Sequence, residues 1–197
     1  MISSMKMKGE LRRLANGKQF GINSVDMMFK TDTYMQKKMV EASASPKELL
    51  VPISSDRGLC GSINSGIVRD VRDYLKSRDR TRCEVFTLGD KAAAAMTRNF
   101  KDILRIGISG ISTPYNYPTI MAIAEHIVAA SASADKIVVF YNEYKSAIST
   151  VIRQMELMPR QRFLDSMKFG KLYQMKLPDR NTSNPALYEL YVTSNLW

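Results

Sequence analysis

Between Leu49 and Tyr141 the chain repeats one local pattern: a short apolar run, a polar break, then a longer segment whose apolar residues fall three and four apart. Leu49-Leu50-Val51-Pro52-Ile53 reads as a buried strand, although Pro52 withdraws one ladder donor. A helix opens near Ser62. Its apolar stripe is Ile63, Ile67, Val68, Val71, Tyr74 and Leu75, with Arg69, Asp70, Arg72 and Asp73 facing away. Cys83–Leu88 is a second strand, Asp90–Asn99 an alanine-rich helix and Ile103–Ile108 a weaker strand. A further helical stripe (Ile120, Ile123, Ala124, Ile127, Val128) precedes a strand over Lys136–Tyr141. Strand and helix alternating at these lengths predict an α/β fold with a mostly parallel sheet flanked by helices. Ala147–Leu157 reads as one more strand. The loop before it, Asn142–Ser146, is too short to cross the sheet, so that last pair is expected to be antiparallel.

The ends are different in kind. The first 46 residues read as helical and basic: Ile2, Met5, Leu11 and Leu14 share a loose face among Lys6, Lys8, Arg12 and Arg13, with Gly17 and Gly21 as punctuation. A second helical pattern follows through Val25, Met28, Phe29, Met35 and Met39, and Ser43–Pro46 is a turn. Phe163–Leu177 fits neither period clearly. Asn184-Pro185 looks like an N-cap followed by proline at the first helical position, opening a helix with Leu187, Leu190, Tyr191 and Trp197 on one face. The expected organisation is therefore a helical segment over 1–46, an α/β domain over 47–183 and the start of a second long helix over 184–197. Neither terminal helix carries a capping or stop signal at its outer end, so both read as cut.

Charge and composition narrow the function. Lys and Arg number 29 against 19 Asp and Glu, a formal charge of +10, which calls for an acidic partner: nucleic acid, an anionic surface or an acidic protein face. No apolar run approaches the roughly 20 residues of a spanning helix. Cys60 and Cys83 make no disulfide framework or zinc site, and His126 is the single histidine. The loop after the first strand lies where doubly wound folds hold phosphates. Yet Gly58-Leu59-Cys60-Gly61 has the wrong spacing for a dinucleotide fingerprint. Gly61 to Gly66 has P-loop spacing, but Ile67 and Val68 replace the lysine and hydroxyl that the chemistry needs. Ser62 spoils a nucleophile elbow around Cys60, which reads as an unreactive, partly buried thiol. These residues predict no cofactor, no metal and no catalytic group. A basic nucleic-acid-binding α/β domain is the alternative function, although no recognisable nucleic-acid module is present.

The segment Ser54-Ser55-Asp56-Arg57-Gly58-Leu59-Cys60-Gly61, continuing into Ser62-Ile63-Asn64, resembles the signature of the gamma subunit of F-type rotary ATP synthases. Gly89-Asp90-Lys91 is similar to that family, as are Phe140-Tyr141-Asn142 and Lys145-Ser146-Ala147-Ile148-Ser149. Met5-Lys6-Met7 with Leu11-Arg12-Arg13 resembles a shortened form of its basic, methionine-rich N-terminal helix, with Gly9 as a helix weakener. The resemblance implies a Rossmann-like domain that binds no nucleotide, and terminal helices that are remnants of an antiparallel coiled-coil shaft. It also implies a non-catalytic central-stalk rotor role, coupling proton-driven ring rotation to ATP synthesis on partner subunits. The implied partners are the alpha and beta subunits of the catalytic ring, epsilon/delta-type stalk subunits and the membrane c-ring. By resemblance Met5, Lys6, Arg12 and Arg13 are shaft contacts, with Met5 and Lys6 near acidic lever segments of the beta subunits. The implied location is the matrix side of the mitochondrial inner membrane, or a bacterial plasma membrane, without a membrane span. The family's C-terminal shaft helix continues beyond the position of Trp197, and its plant-type redox insertion has no counterpart here.

Overall fold

In a computed structural model of the chain, residues 2–25, 46–111, 115–146, 149–167 and 179–197 are described. In chain order the elements are α1 (Ile2–Val25), β1 (Glu48–Pro52), α2 (Ser62–Lys76), β2 (Cys83–Leu88), α3 (Asp90–Asn99), β3 (Leu104–Ile108), α4 (Tyr117–Ala130), β4 (Lys136–Ser146), β5 (Ser149–Leu157), α5 (Arg160–Met167) and α6 (Arg180–Leu196). They form two compact units. One holds the sheet with α2 and α3; the other holds α1, most of α4, α5 and α6.

The sheet has five strands in the order β3-β2-β1-β4-β5. β1 is parallel to both β2 and β4, β2 is parallel to β3, and β5 runs antiparallel to β4, as the connection lengths predict. The strand order reverses direction between β1 and β4, which makes the carboxyl end of β1 the switch point of the fold. Continuous apolar strands follow from burial on two sides: every residue of β1 is buried. On one face Leu50, Val85, Val138 and Phe140 pack with Ile67, Val71 and Leu75 of α2 and Met96 of α3. Tyr74 meets the Phe140 ring edge-on, with centroids 5.4 Å apart.

The bounds of β1 and β3 differ from the sequence reading by one residue, and those of β4 by more. Asn142–Ser146 is not a loop: β4 continues through Ser146 and pairs with β5 from Tyr141↔Arg153 to Ser146↔Ser149. β1 ends at Pro52↔Phe140, so these later pairs form a two-stranded ribbon. Polar side chains hold it. Glu143 binds Lys145 at 2.8 Å and Arg153 at 2.9 Å. These two cations hold its carboxyl down to about 2, against an ordinary 4.5.

The helical unit carries two further corrections. Gly17 and Gly21 do not interrupt α1, which runs continuously from Ile2 to Val25. Both are contact points with α6. A Cβ on Gly17 would lie 2.8 Å from Trp197 Nε1, and one on Gly21 would lie 2.7 Å from the Ser194 carbonyl oxygen. Residue numbers descend on one helix as they ascend on the other, so the pair is antiparallel. The second correction concerns α6, which begins at Arg180 with Pro185 inside it. Asp179 supplies the start: its carbonyl accepts from Ser183 N–H at 2.9 Å and its carboxylate from the Thr182 hydroxyl at 3.0 Å. Phe163, Tyr188 and Tyr191 form a buried ring cluster, with Phe163 and Tyr191 stacked at 5.5 Å. The expected helical positions Met28, Phe29, Met35 and Met39, the turn over 43–45 and the stretch from 168 to 177 lie outside the described residues.

Two outcomes are expected. A titration followed by NMR gives Glu143 a midpoint near 2. Because the folded value is depressed, its stabilisation is present above pH 4.5 and fades as pH falls toward 2, and Glu143→Gln lacks this pH dependence. A midpoint near 4.5 would show that the ribbon's ion pairs do not form. Separately, Gly21→Leu forces a side chain into the Ser194 backbone. It should lower the chemical-denaturation stability of the helical unit by about 1–3 kcal/mol.

Candidate functional site: the signature loop and the helical seam

The loop Ser54–Gly61 leaves β1 at the switch point and is tied into the fold by its own polar groups. Ile53 N–H donates to the Phe140 carbonyl and Ser54 N–H to the Leu88 carbonyl, each at 2.8 Å, which fixes the strand's exit between β4 and β2. Three consecutive N–H groups at the start of α3 then turn to the loop. Asp90 N–H donates to Asp56 Oδ1 at 2.9 Å, Lys91 N–H to the Ser55 carbonyl at 3.3 Å and Ala92 N–H to Ser54 Oγ at 2.8 Å. Gly89 makes this approach possible. Its φ is +96°, and a Cβ there would collide with the Ser54 carbonyl oxygen.

Asn64, on the first turn of α2, ties the loop from the other side. It accepts from Ser55 N–H at 3.0 Å and donates through Nδ2 to Ser55 Oγ at 2.9 Å and the Arg57 carbonyl at 3.3 Å. Beyond these ties the tip stands free. Arg57 and Gly58 are exposed, and Leu59 is fully exposed, with a relative accessibility of 109% and φ of +58°. A γ-branched residue in left-handed backbone costs about 1–2 kcal/mol. Its side chain makes no packing that would repay this cost.

In doubly wound folds a helix N-terminus at the switch point attracts anions. At α3 that electropositive end holds the chain's own Asp56 carboxylate, backed by the Ser54 hydroxyl. A phosphate there would meet an occupied site and a like charge. Cys60 is half-buried, with its sulfur 3.3 Å from the Gly58 carbonyl oxygen and 3.4 Å from that of Arg57. Cys83 is buried at the start of β2. Burial, reinforced by the Glu48 carboxylate, pushes its thiol up to about 11. Both cysteines are free thiols. Among the described residues, no group of three or more His, Cys, Asp or Glu side chains is placed to hold a metal ion. No described helix is long and apolar enough to cross a membrane.

The second candidate surface lies in the helical unit. Met7, Leu14, Gly17 and Gly21 recur at heptad spacing along α1. Gly17 and Gly21 are buried, whereas Leu14 is 42% and Met7 46% exposed. The seam that meets α6 therefore runs on, open, toward the N-terminal part of α1. Around it are Met5, 69% exposed, and the exposed cations Lys8, Arg12 and Lys18. Arg13 is engaged with Glu10 at 2.8 Å. Lys6 belongs to α1, and its side chain lies outside the described residues. Two contributors escaped the sequence reading. Gly17 and Gly21 were legible only as breaks, although glycines four apart can also mark close helix approach. The strained Leu59 backbone left no sequence signal at all.

Asp56→Ala removes the carboxylate cap from α3 and should cost about 1 kcal/mol in denaturant unfolding, with Asp56→Asn retaining most of it. No loss in the alanine variant would show that the loop does not secure the helix.

Comparison with known proteins identifies the family. A family model described as ATP synthase matches residues 1–197. The mitochondrial ATP synthase gamma subunit of Drosophila melanogaster is 30% identical over 150 residues, covering 76% of this chain and 48% of its own length. That of Saccharomyces cerevisiae is 29% identical over 157 residues, covering 76% and 49%. The chain thus spans about half the length of these curated relatives. A solved chain from the central stalk and c-ring of the Tetrahymena thermophila mitochondrial ATP synthase is 37% identical. It superposes with a TM-score of 0.86, covering 100% of this chain and 86% of its own. With a family match along its whole length and a gamma subunit 30% identical over 76% of it, this chain belongs to the ATP synthase family, among the gamma subunits.

Proposed function

We propose that the chain is a non-catalytic part of the central-stalk rotor of a mitochondrial ATP synthase, acting at the matrix side of the inner membrane. It transmits rotation driven by the proton-powered c-ring to the alpha and beta subunits, where the chemistry takes place, and it is held at its foot by epsilon/delta-type stalk subunits. The observation that carries this reading is the helical seam. An antiparallel pair closes through Gly17 and Gly21, and the same heptad face continues as exposed Leu14 and Met7 beside Lys8 and Arg12. That face suits two neighbours. A helix continuing the direction of α6 would bury the apolar seam. An acidic surface sliding past would meet exposed cations and the flexible Met5 side chain, which yields without a fixed fit.

The sheet unit supports the same reading. Asp56 and Ser54 commit the anion-attracting end of α3 to holding the loop, and the tip then presents Arg57 and Leu59 outward. Strained backbone spent on an exposed apolar side chain fits a contact with a neighbouring subunit.

An affinity-tagged chain expressed in its source cells should co-isolate with the alpha and beta subunits of the ATP synthase. The pair Lys8→Glu and Arg12→Glu should leave ATP hydrolysis in the isolated complex largely intact while reducing ATP-driven proton pumping several-fold. Leu59→Gly should change the stability of the chain by no more than about 1 kcal/mol, because relieved strain offsets added backbone freedom, yet weaken co-isolation. Recovery of the chain free of the catalytic subunits would overturn the proposal.

A further inference from the structure

At the end of the sheet where β1 and β2 begin, a cavity of about 110 Å³ is lined by residues that include Lys47, Glu48, Thr81, Arg82, Glu84 and Ser133. A single water needs only about 10–15 Å³ by this measure, so the space admits a group of several heavy atoms. The charges around it are unevenly matched. Glu84 accepts from Arg105 Nη2 at 2.6 Å. Glu48 is paired with Arg78 at 3.7 Å, and strand alternation puts its side chain on the face of Leu50 and α2. Glu84 therefore has a cation of its own; Glu48 is balanced only by Arg78, and both of its carboxylate oxygens are buried without a hydrogen-bond partner.

The two bases are placed differently. Among the described residues no carboxylate lies within ion-pair distance of Arg82 or of the Lys47 ammonium. Of the two nearby acids, Asp79 accepts from the Thr81 N–H and hydroxyl, with the Arg82 charge a further, smaller influence on it, and Asp135 accepts from the Lys47 backbone N–H. Arg82 Nε is buried with no acceptor, which is destabilising unless a ligand supplies one.

We propose that this cavity is a binding site for a phosphate-class oxyanion, held by Arg82 and Lys47 with the Ser133 hydroxyl as a third donor. A guanidinium offers parallel N–H groups to adjacent oxygens of one anion, and the ammonium adds a point charge beside it. The net charge of +10 raises the local concentration of anions around the whole molecule. Nothing in this site depends on the signature loop or the helical seam.

Calorimetric titration of the full chain with inorganic phosphate at low salt should give saturable one-to-one binding, with acetate weaker. Arg82→Gln should weaken it at least tenfold and Lys47→Gln several-fold. Ser133 is exposed, so Ser133→Asp should keep the wild-type circular dichroism and melting temperature while abolishing binding. Vesicles containing phosphatidic acid supply the second arm. Retention on them but not on neutral vesicles, lost in Ser133→Asp, assigns the phosphate to a lipid headgroup; saturable binding of free phosphate assigns it to a solute. Absence of both, or phosphate binding unchanged in Ser133→Asp, overturns the site.

Discussion

The hydrogen bond from Asp90 N–H to the Asp56 carboxylate decides what the carboxyl edge of this sheet can become. A parallel sheet with reversed strand order creates a crevice, and the helix starting beside it offers unsatisfied N–H groups to whatever negative group arrives first. Here the first arrival is covalently attached. Asp56, the Ser55 carbonyl and Ser54 Oγ take three successive donors of α3, while Asn64 holds the other flank of the same loop. The effective concentration of an attached carboxylate is far above that of any free phosphate, so the loop works as a brace. Its rigidity lets the tip hold Leu59 in a backbone conformation that a loose loop would relax out of.

The helical unit rests on a different constraint, the distance between two backbones. Glycine at positions 17 and 21 lets α1 approach the Ser194 carbonyl and the Trp197 ring more closely than any side chain would permit. Close approach trades apolar area for backbone proximity, which suits a narrow helical pair. A few residues toward the N-terminus the seam changes to Leu14 and Met7, ordinary coiled-coil fillers that are still exposed in this chain. A basic helix alone would suit nucleic acid as readily as acidic protein. The whole-length match to the ATP synthase family supports the proposed protein partner over nucleic acid.

Much of this was legible in the residues. Cys83–Leu88 and Asp90–Asn99 have the bounds their pattern predicted, because Gly89 separates a run buried on two sides from an alanine-rich helix. The antiparallel β4–β5 pair was expected from a short connection, although the residues given to that connection belong to β4. What escaped was governed by side chains acting outside the usual code. Asn142–Ser146 looked like a loop because Asn, Glu and Lys are poor strand residues, yet Glu143 pairs with Lys145 on its own strand and with Arg153 across on β5, and these pairs hold the ribbon. Pro185 looked like a helix start, but Asp179 opens α6 earlier. The oxyanion cavity joins residues 47, 82 and 133, whose spacing in sequence carries no motif. Such a site exists only once β1, β2 and the turn before β4 are side by side.

Single-particle electron microscopy of the ATP synthase purified from the source membranes bears most directly on the mechanical role. The account predicts this chain on the central axis, with the Met5–Leu14 stretch of α1 inside the catalytic ring and the chain in more than one rotational position relative to that ring. A chain fixed to the periphery in every class, or an intact complex whose central shaft is another polypeptide, would contradict it.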